Sequence, residues 1–296
     1  MTDKAWPGTT YGSTGMHKWL ILLLRTVNIR IIYGFTDVFV IPFCLLFRSD
    51  WRYIYRYLRR RQGFSCLKSF FSTYRNLCLF GQVVIDRFAM YAGRKFKIEI
   101  DGYDNFQQLT ARKEGFIQLS AHIGNYELAG YSLVARQKRF NALVYADEKE
   151  TVMCNRERMF SGTNIHMITV HPDGSHVFEI NDILLHGDIM SMPADRVFGS
   201  SKSIPVSLLG GQVMLPAGPF VIATSRKLDV ITVNVMKVRH DTYMIYVTPV
   251  VYDKSASTKT QLCQIAGAYA AELERMLKLY PEQWYNYFEM WQQPDR

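Results

Sequence analysis

His122 and Glu127 lie five positions apart in the segment Leu119-Ser120-Ala121-His122-Ile123-Gly124-Asn125-Tyr126-Glu127. An imidazole titrates near neutral pH, and a carboxylate beside it orients the ring and stabilises its protonated form. That combination suits a general base that takes a proton from a hydroxyl. Gly124 permits close approach of a reacting group. Free N–H groups at a helix start near Asn125 would suit a developing oxyanion. A plainer reading stands beside this one: His122 caps a helix and Glu127 sits in a surface salt bridge.

The elements around the pair place it in the fold and leave both readings open. Residues 115–120 (GFIQLS) read as a buried strand, so His122 falls just past its C-terminal end, and a helical pattern follows over residues 125–136. In open α/β sheets, ligands bind at that edge. Phe96, Ile98 and Ile100 alternate with charged residues, a strand signal. Further strands are expected at 142–145, 165–170, 188–192, 230–236 and 243–247. Helices are expected at 65–91, 148–160, 176–185 and 258–279, with a helix start at Pro216-Ala217-Gly218-Pro219 and a helical tail over 281–292. Strands separated by helices of this length predict an α/β fold with a mostly parallel sheet covered on both faces.

Composition sets the frame. Of 296 residues, 48% are apolar and 21% charged, which excludes a disordered or fibrous chain. The net charge of +9 points to an anionic partner. No homeodomain, zinc-finger or RNP-type motif accompanies that charge, so a membrane surface is favoured and nucleic acid is not expected. Cys44, Cys66, Cys78, Cys154 and Cys263 show no metal-site or disulfide spacing. His17, His166, His171, His176, His186 and His240 lack partners at metal-ligand spacing, and no G-x-S-x-G elbow is present. Neither a metal, a cofactor nor a serine nucleophile is expected.

The N-terminal fifth is different in character. Residues 1–15 read as a flexible tail. Residues 16–62 read as a membrane-associated helical segment, and residues 63–296 as the α/β domain. From Trp19 to Leu46 the chain is strongly apolar but is interrupted by Arg25, Asn28, Arg30 and Asp37, so no clean spanning run is expected. It reads either as a buried core helix or, preferably, as one lying in the inner leaflet. Trp51 to Arg61 then interleaves aromatic residues with arginines, a pattern that places rings at headgroup level and guanidinium groups on phosphates.

Taken with its flanks, KEGFIQLSA before it and HIGNYE within it, the His122–Glu127 segment resembles the H-x-x-x-x-[DE] motif of the glycerolipid and lipid A acyltransferase superfamily. It is most similar to the lipid A late acyltransferase branch, the lauroyl and myristoyl transferases. Asn155-Arg156-Glu157-Arg158 lies where that branch places an arginine toward the active site, with Arg158 preferred and Arg156 second. Gly187-Asp188 through Asp195-Arg196-Val197-Phe198-Gly199 resembles its strand-then-Asp block. Leu215-Pro216-Ala217-Gly218-Pro219 resembles a further family stretch, and Tyr280-Pro281-Glu282-Gln283-Trp284-Tyr285 resembles its P-E-Q-[WY] signature. The resemblance runs over residues 16–292. One departure stands out: where the branch usually continues with a basic pair, this chain has Tyr285-Asn286-Tyr287-Phe288-Glu289.

The resemblance implies O-acyl transfer from acyl carrier protein, or acyl-CoA, to a hydroxyl of a lipid A precursor at the cytoplasmic face of a bacterial inner membrane. His122 would be the base, with Glu127 orienting and charge-balancing it. Gly124 and Asn125 N–H groups or Arg158 would hold the oxyanion, and Asp195 and Arg196 would bind the acceptor or position Arg158. Two alternatives remain open: acylation of another lipid, such as a 3-hydroxyacyl amino-acid lipid or a lysophospholipid, and a non-catalytic lipid-binding protein.

Overall fold

The computed structural model describes residues 13–133, 135, 137–145, 164–171, 174–197 and 202–291. Its centre is a seven-stranded sheet in the order β1-β9-β8-β2-β5-β3-β4. The strands are β1 (Lys97–Asp101), β2 (Phe116–Ser120), β3 (Phe140–Tyr145), β4 (Ile165–Val170), β5 (Ile189–Pro193), β8 (Asp229–Arg239) and β9 (Thr242–Val250). Strands β8, β2, β5, β3 and β4 run parallel to one another, while β9 returns antiparallel to β8 and carries β1 with it. A separate hairpin joins β6 (Ser203–Leu208) to β7 (Gly211–Pro216). The expected mostly parallel α/β sheet is therefore observed.

The central strand shows why the sequence reads this way. All five residues of β2 are buried, as befits a strand covered by helices on both faces. Ile117 and Leu119 face one apolar layer, Phe116 the other. The first layer is completed by α8 (His176–Leu185), α9 (Gly218–Ser225) and α10 (Thr258–Leu279), the second by α6 (Tyr103–Thr110) and α7 (Glu127–Ser132). Ser257 caps α10 by accepting the Thr260 N–H, and Ser65 caps the long α5 (Cys66–Tyr91) through Lys68.

Some boundaries differ from expectation. Helix α7 covers only Glu127–Ser132, because Leu133 leaves helical geometry. The expected helix at 148–160 lies outside the described residues. After a single 3₁₀ turn at Pro281–Gln283 the C-terminal stretch is irregular rather than helical. Its backbone groups bond to other parts of the fold, as the site below shows.

At the N-terminus, α1 (Thr14–Thr26) leads to one continuous helix, Ile29–Phe47, made of α2 (Ile29–Phe35), a π-helical turn at Thr36–Val40 and α3 (Ile41–Phe47). Arg30 and Asp37 do not break it, whereas Asn28 separates it from α1 and caps its start. Its 19 residues have a mean hydropathy of 1.8, long and apolar enough to cross a membrane, and only 22% of that window is buried. Asp37 is accommodated where the helix meets α5, accepting from Gln82 Nε2 at 3.1 Å. Helix α4 (Trp51–Arg56) and its π-helical continuation Tyr57–Arg61 follow.

Candidate active site

Ser120, the last residue of β2, is in register with Pro193, the last residue of β5. His122 and Asp195 each lie two residues beyond that pair, so the two parallel strands deliver both side chains to the same point of the sheet edge. The Ala194 N–H extends the ladder by donating to the Ser120 carbonyl at 3.0 Å, and the Tyr269 hydroxyl of α10 donates to the same carbonyl at 2.9 Å.

The two side chains meet directly. His122 Nδ1 is 2.7 Å from Asp195 Oδ1, and Asp195 Oδ2 accepts the His122 main-chain N–H at 2.9 Å. Asp195 is 2% exposed, whereas the His122 side chain keeps 19% of its surface open. A carboxylate on Nδ1 fixes the tautomer with the proton there and leaves Nε2 as the basic nitrogen. Burial pulls the imidazole pKa below its ordinary value, Asp195 opposes this, and the Arg196 charge adds to it. Burial alone would raise the Asp195 pKa, but His122 and Arg196 outweigh it, so the carboxyl is held below its usual range. Both shifts favour a neutral imidazole beside an ionised carboxylate.

Glu127, expected to orient the imidazole, is engaged elsewhere. Its carboxylate lies 2.9 Å from Arg87 of α5, with both side chains largely buried. The partner of the imidazole is Asp195, which the sequence placed at this edge in another role. The Tyr126 ring instead lies edge-on to the imidazole, 5.3 Å between centroids.

Gly124 and Asn125, expected to offer N–H groups to an oxyanion, use them within the fold. Gly124 N–H donates to the Gln283 carbonyl at 2.8 Å and Asn125 N–H to the Val235 carbonyl at 2.8 Å. Gly124 has φ +53°, and a Cβ there would fall 1.9 Å from the Val235 oxygen, so only glycine lets the loop reach β8. Among the described candidates for a positive charge at this edge is Arg196, which donates to the Tyr285 carbonyl at 2.8 Å and stacks over Phe288 at 5.6 Å. Arg158 and Arg156 lie outside the described residues.

A positioning element that the motif reading did not resolve is the segment Pro281–Tyr285. It runs beside the His122 loop like an extra strand: Gly124 N–H bonds the Gln283 carbonyl, and Tyr285 N–H bonds the His122 carbonyl at 3.1 Å. Gln283 docks this strap on β8, its Oε1 accepting the Lys237 N–H at 2.9 Å and its Nε2 donating to the Lys237 carbonyl at 2.8 Å. Asn76 of α5 donates to the Glu282 and Trp284 carbonyls at 2.9 and 2.8 Å, and Ser72 donates to Glu282 at 2.7 Å. The Pro-Glu-Gln-Trp signature was the visible signal, but its partner loop could not be read from the chain.

An imidazole on a buried carboxylate, at the carboxyl edge of a parallel sheet, is equipped to deprotonate a hydroxyl. Residues 74–293 match the model of the bacterial lipid A biosynthesis acyltransferase family. The chain belongs to this family. It is an acyltransferase of lipids, and the matched region contains His122, Asp195 and the whole strap. No curated protein matches the chain significantly. Among solved structures, it is similar to the 1-acyl-sn-glycerophosphate (LPA) acyltransferase PlsC from Thermotoga maritima. That comparison has 13% identity and a TM-score of 0.43, covering 93% of this chain and 100% of the other.

Proposed function

We propose that this acyltransferase moves a fatty acyl chain from an acyl thioester, carried by acyl carrier protein, to a hydroxyl of a lipid A precursor, with His122 as general base. The observation that carries this is the His122–Asp195 contact at the sheet edge, inside the family-matched region. His122 Nε2 removes the hydroxyl proton as the oxygen attacks the thioester carbonyl. The tetrahedral intermediate collapses with C–S cleavage, and the imidazolium returns its proton to the departing sulfur. Asp195 holds the ring and balances its transient charge, and Arg196 supplies positive charge nearby. No metal or cofactor enters this scheme.

The acceptor is a lipid, and the N-terminal helices supply a surface for it. On the Ile29–Phe47 helix, Ile31, Phe35, Val38, Phe39, Phe43, Leu46 and Phe47 are all exposed. An apolar face of this extent favours contact with a bilayer. Because the donor is cytosolic, the reading places the enzyme on the cytoplasmic face of the inner membrane.

A second reading, O-acylation of a different lipid, is favoured by one observation. The residues after Trp284 carry no basic pair, and Tyr285 and Asn286 are buried. Mass spectrometry separates the readings. Detergent-purified protein is incubated with acyl–acyl carrier protein and a tetraacylated lipid A precursor, a 3-hydroxyacyl amino-acid lipid or a lysophospholipid. Gain of one acyl group on the first acceptor, lost in His122→Ala, is the expected result. Gain only on another acceptor supports the second reading, and no gain on any of them rejects both.

A further inference from the structure

Helix α4 and its π-helical continuation present two different faces. One face is fixed in the main core through Ile54, Tyr57 and Leu58, all nearly inaccessible to solvent. The other lines a groove of about 550 Å³ with Trp51, Arg52, Tyr55, Arg56, Arg59 and Arg60, closed on one side by Phe70 of α5. The spacing explains the arrangement: Arg52, Arg56 and Arg60 recur every fourth residue, as do Trp51, Tyr55 and Arg59, so the two rows lie side by side. None of these residues belongs to the His122 site.

We propose that this groove binds the phosphate of anionic glycerophospholipid headgroups and so sets the orientation of the enzyme on its membrane. The inference rests on the reading of the protein as a membrane-surface acyltransferase and names the lipid chemistry that surface recognises. Guanidinium groups match phosphate oxygens in forked geometry, and here the core packing of Ile54, Tyr57 and Leu58 holds the arginine row in place before the ligand arrives. Arg59 donates to the Phe64 carbonyl at 2.8 Å, which fixes one guanidinium of the groove in place. Glu289 lies 3.8 Å from Arg56, with both side chains more than half exposed, a pair that water largely screens.

The surroundings favour a bilayer over other anions. Phe70 is 50% exposed and sits against Phe71, which is 61% exposed; Leu67 on the same helix and Phe47 just before α4 are also exposed. Apolar side chains bordering an arginine groove fit a surface where headgroups overlie acyl chains. An acidic carrier protein would satisfy the arginines but leave these side chains unexplained. Nucleobase stacking is disfavoured because Tyr55 packs edge-on against Trp51 and Arg52 lies 5.9 Å over the Trp51 ring.

The test is co-sedimentation of the full-length protein with phosphatidylcholine vesicles, with and without phosphatidylglycerol, all free of acyl acceptor. The wild type should prefer the anionic vesicles. R52Q/R56Q/R60Q should weaken binding to them by about 100-fold, since each basic residue near an anionic surface is worth roughly fivefold or more. R52K/R56K/R60K keeps the charge but loses the guanidinium fork and should bind between the wild type and the glutamine variant, which guards against misfolding as the cause. Soluble glycerol phosphate should compete poorly, because the lipid source includes the bilayer. An unchanged preference in the glutamine variant overturns the inference. So does loss of acyl carrier protein binding in that variant with the vesicle preference intact, which would assign the groove to the donor protein. His122→Ala should sediment like the wild type. Failure of acyl transfer with arginine-dependent sedimentation intact would reject the catalytic reading alone.

Discussion

Asp195 grips His122 twice, through the ring at 2.7 Å and through the main-chain N–H at 2.9 Å. One carboxylate therefore sets both the tautomer of the imidazole and the position of the loop that carries it. Asp195→Asn keeps the shape but removes the charge that stabilises the imidazolium and permits the wrong tautomer. The rate should fall by about 10²- to 10⁴-fold. Steady-state kinetics should show the loss in kcat with KM little changed; an unaltered kcat would remove Asp195 from the mechanism.

The acid limb of the rate profile follows from the same pair. A base works only when unprotonated, so activity is lost as pH falls through the His122 pKa. Burial holds that pKa below the ordinary value of 6.5, so kcat/KM should be flat at neutral pH and decline only on the acid side. Two substitutions should move the limb in opposite directions. Asp195 raises the imidazole pKa, so Asp195→Asn shifts the residual limb further toward acid. Arg196 lowers it, so Arg196→Gln shifts the limb toward neutrality. Shifts of the same sign in the two profiles would show that His122 is not the titrating base.

Gly124→Ala tests whether the His122 loop is bound to β8 as tightly as the geometry requires. The new Cβ would meet the Val235 carbonyl at 1.9 Å on a residue already at φ +53°. Left-handed geometry alone costs roughly 1–2 kcal/mol, and the displaced Asn125–Val235 hydrogen bond adds to it, for a total of at least about 3 kcal/mol. Thermal unfolding in detergent should show a marked drop in Tm. A variant as stable as the wild type would mean that the loop sits farther from β8.

Asp86 and Lys237 form an ion pair in the core, with side chains 0% and 3% exposed, and the Tyr33 and Tyr243 hydroxyls both donate to Asp86. The cluster ties α2, α5, β8 and β9 together just beyond the strap. Asp86→Leu strands a buried ammonium and should cost about 3–5 kcal/mol. Adding Lys237→Met should recover a substantial part, since burying two apolar side chains avoids desolvating charge. Denaturant titration of both variants checks this, and additive losses would argue against a coupled pair.

The legible and illegible parts of the molecule divide by range of interaction. Strands 165–170 and helices 176–185 and 258–279 were readable because burial period and capping residues such as Ser257 are local. The strand-end position of His122 was legible for the same reason. Its partner was not: Glu127 lies nearby in sequence, but the first turn of α7 carries it toward Arg87, while Asp195 arrives through the β2–β5 register. The hairpin β6–β7 was missed because Pro205 and Gly210-Gly211 punctuate a short alternation. The tail was expected to be helical from its aromatic content, yet those rings and its carbonyls are spent on α5, β7 and the His122 loop.

Gln283 is the residue through which that tail should influence catalysis without touching substrate. Its amide completes the Lys237 main chain as a neighbouring strand would, and its own carbonyl receives the Gly124 N–H two residues from the base. Gln283→Ala leaves a buried N–H and a buried carbonyl on β8 without partners, each costing about 1–3 kcal/mol. Stability should therefore fall. More tellingly, kcat should fall several-fold at temperatures well below the new Tm, because the strap no longer holds the Gly124 end of the loop. Gln283→Glu keeps the acceptor but not the donor, and should restore part of the stability where the carboxyl is protonated at lower pH. Hydrogen exchange at the Gly124 amide supplies the decisive reading: faster exchange in Gln283→Ala supports positioning through the strap. Unchanged exchange together with wild-type kcat would reduce Gln283 to a stability residue.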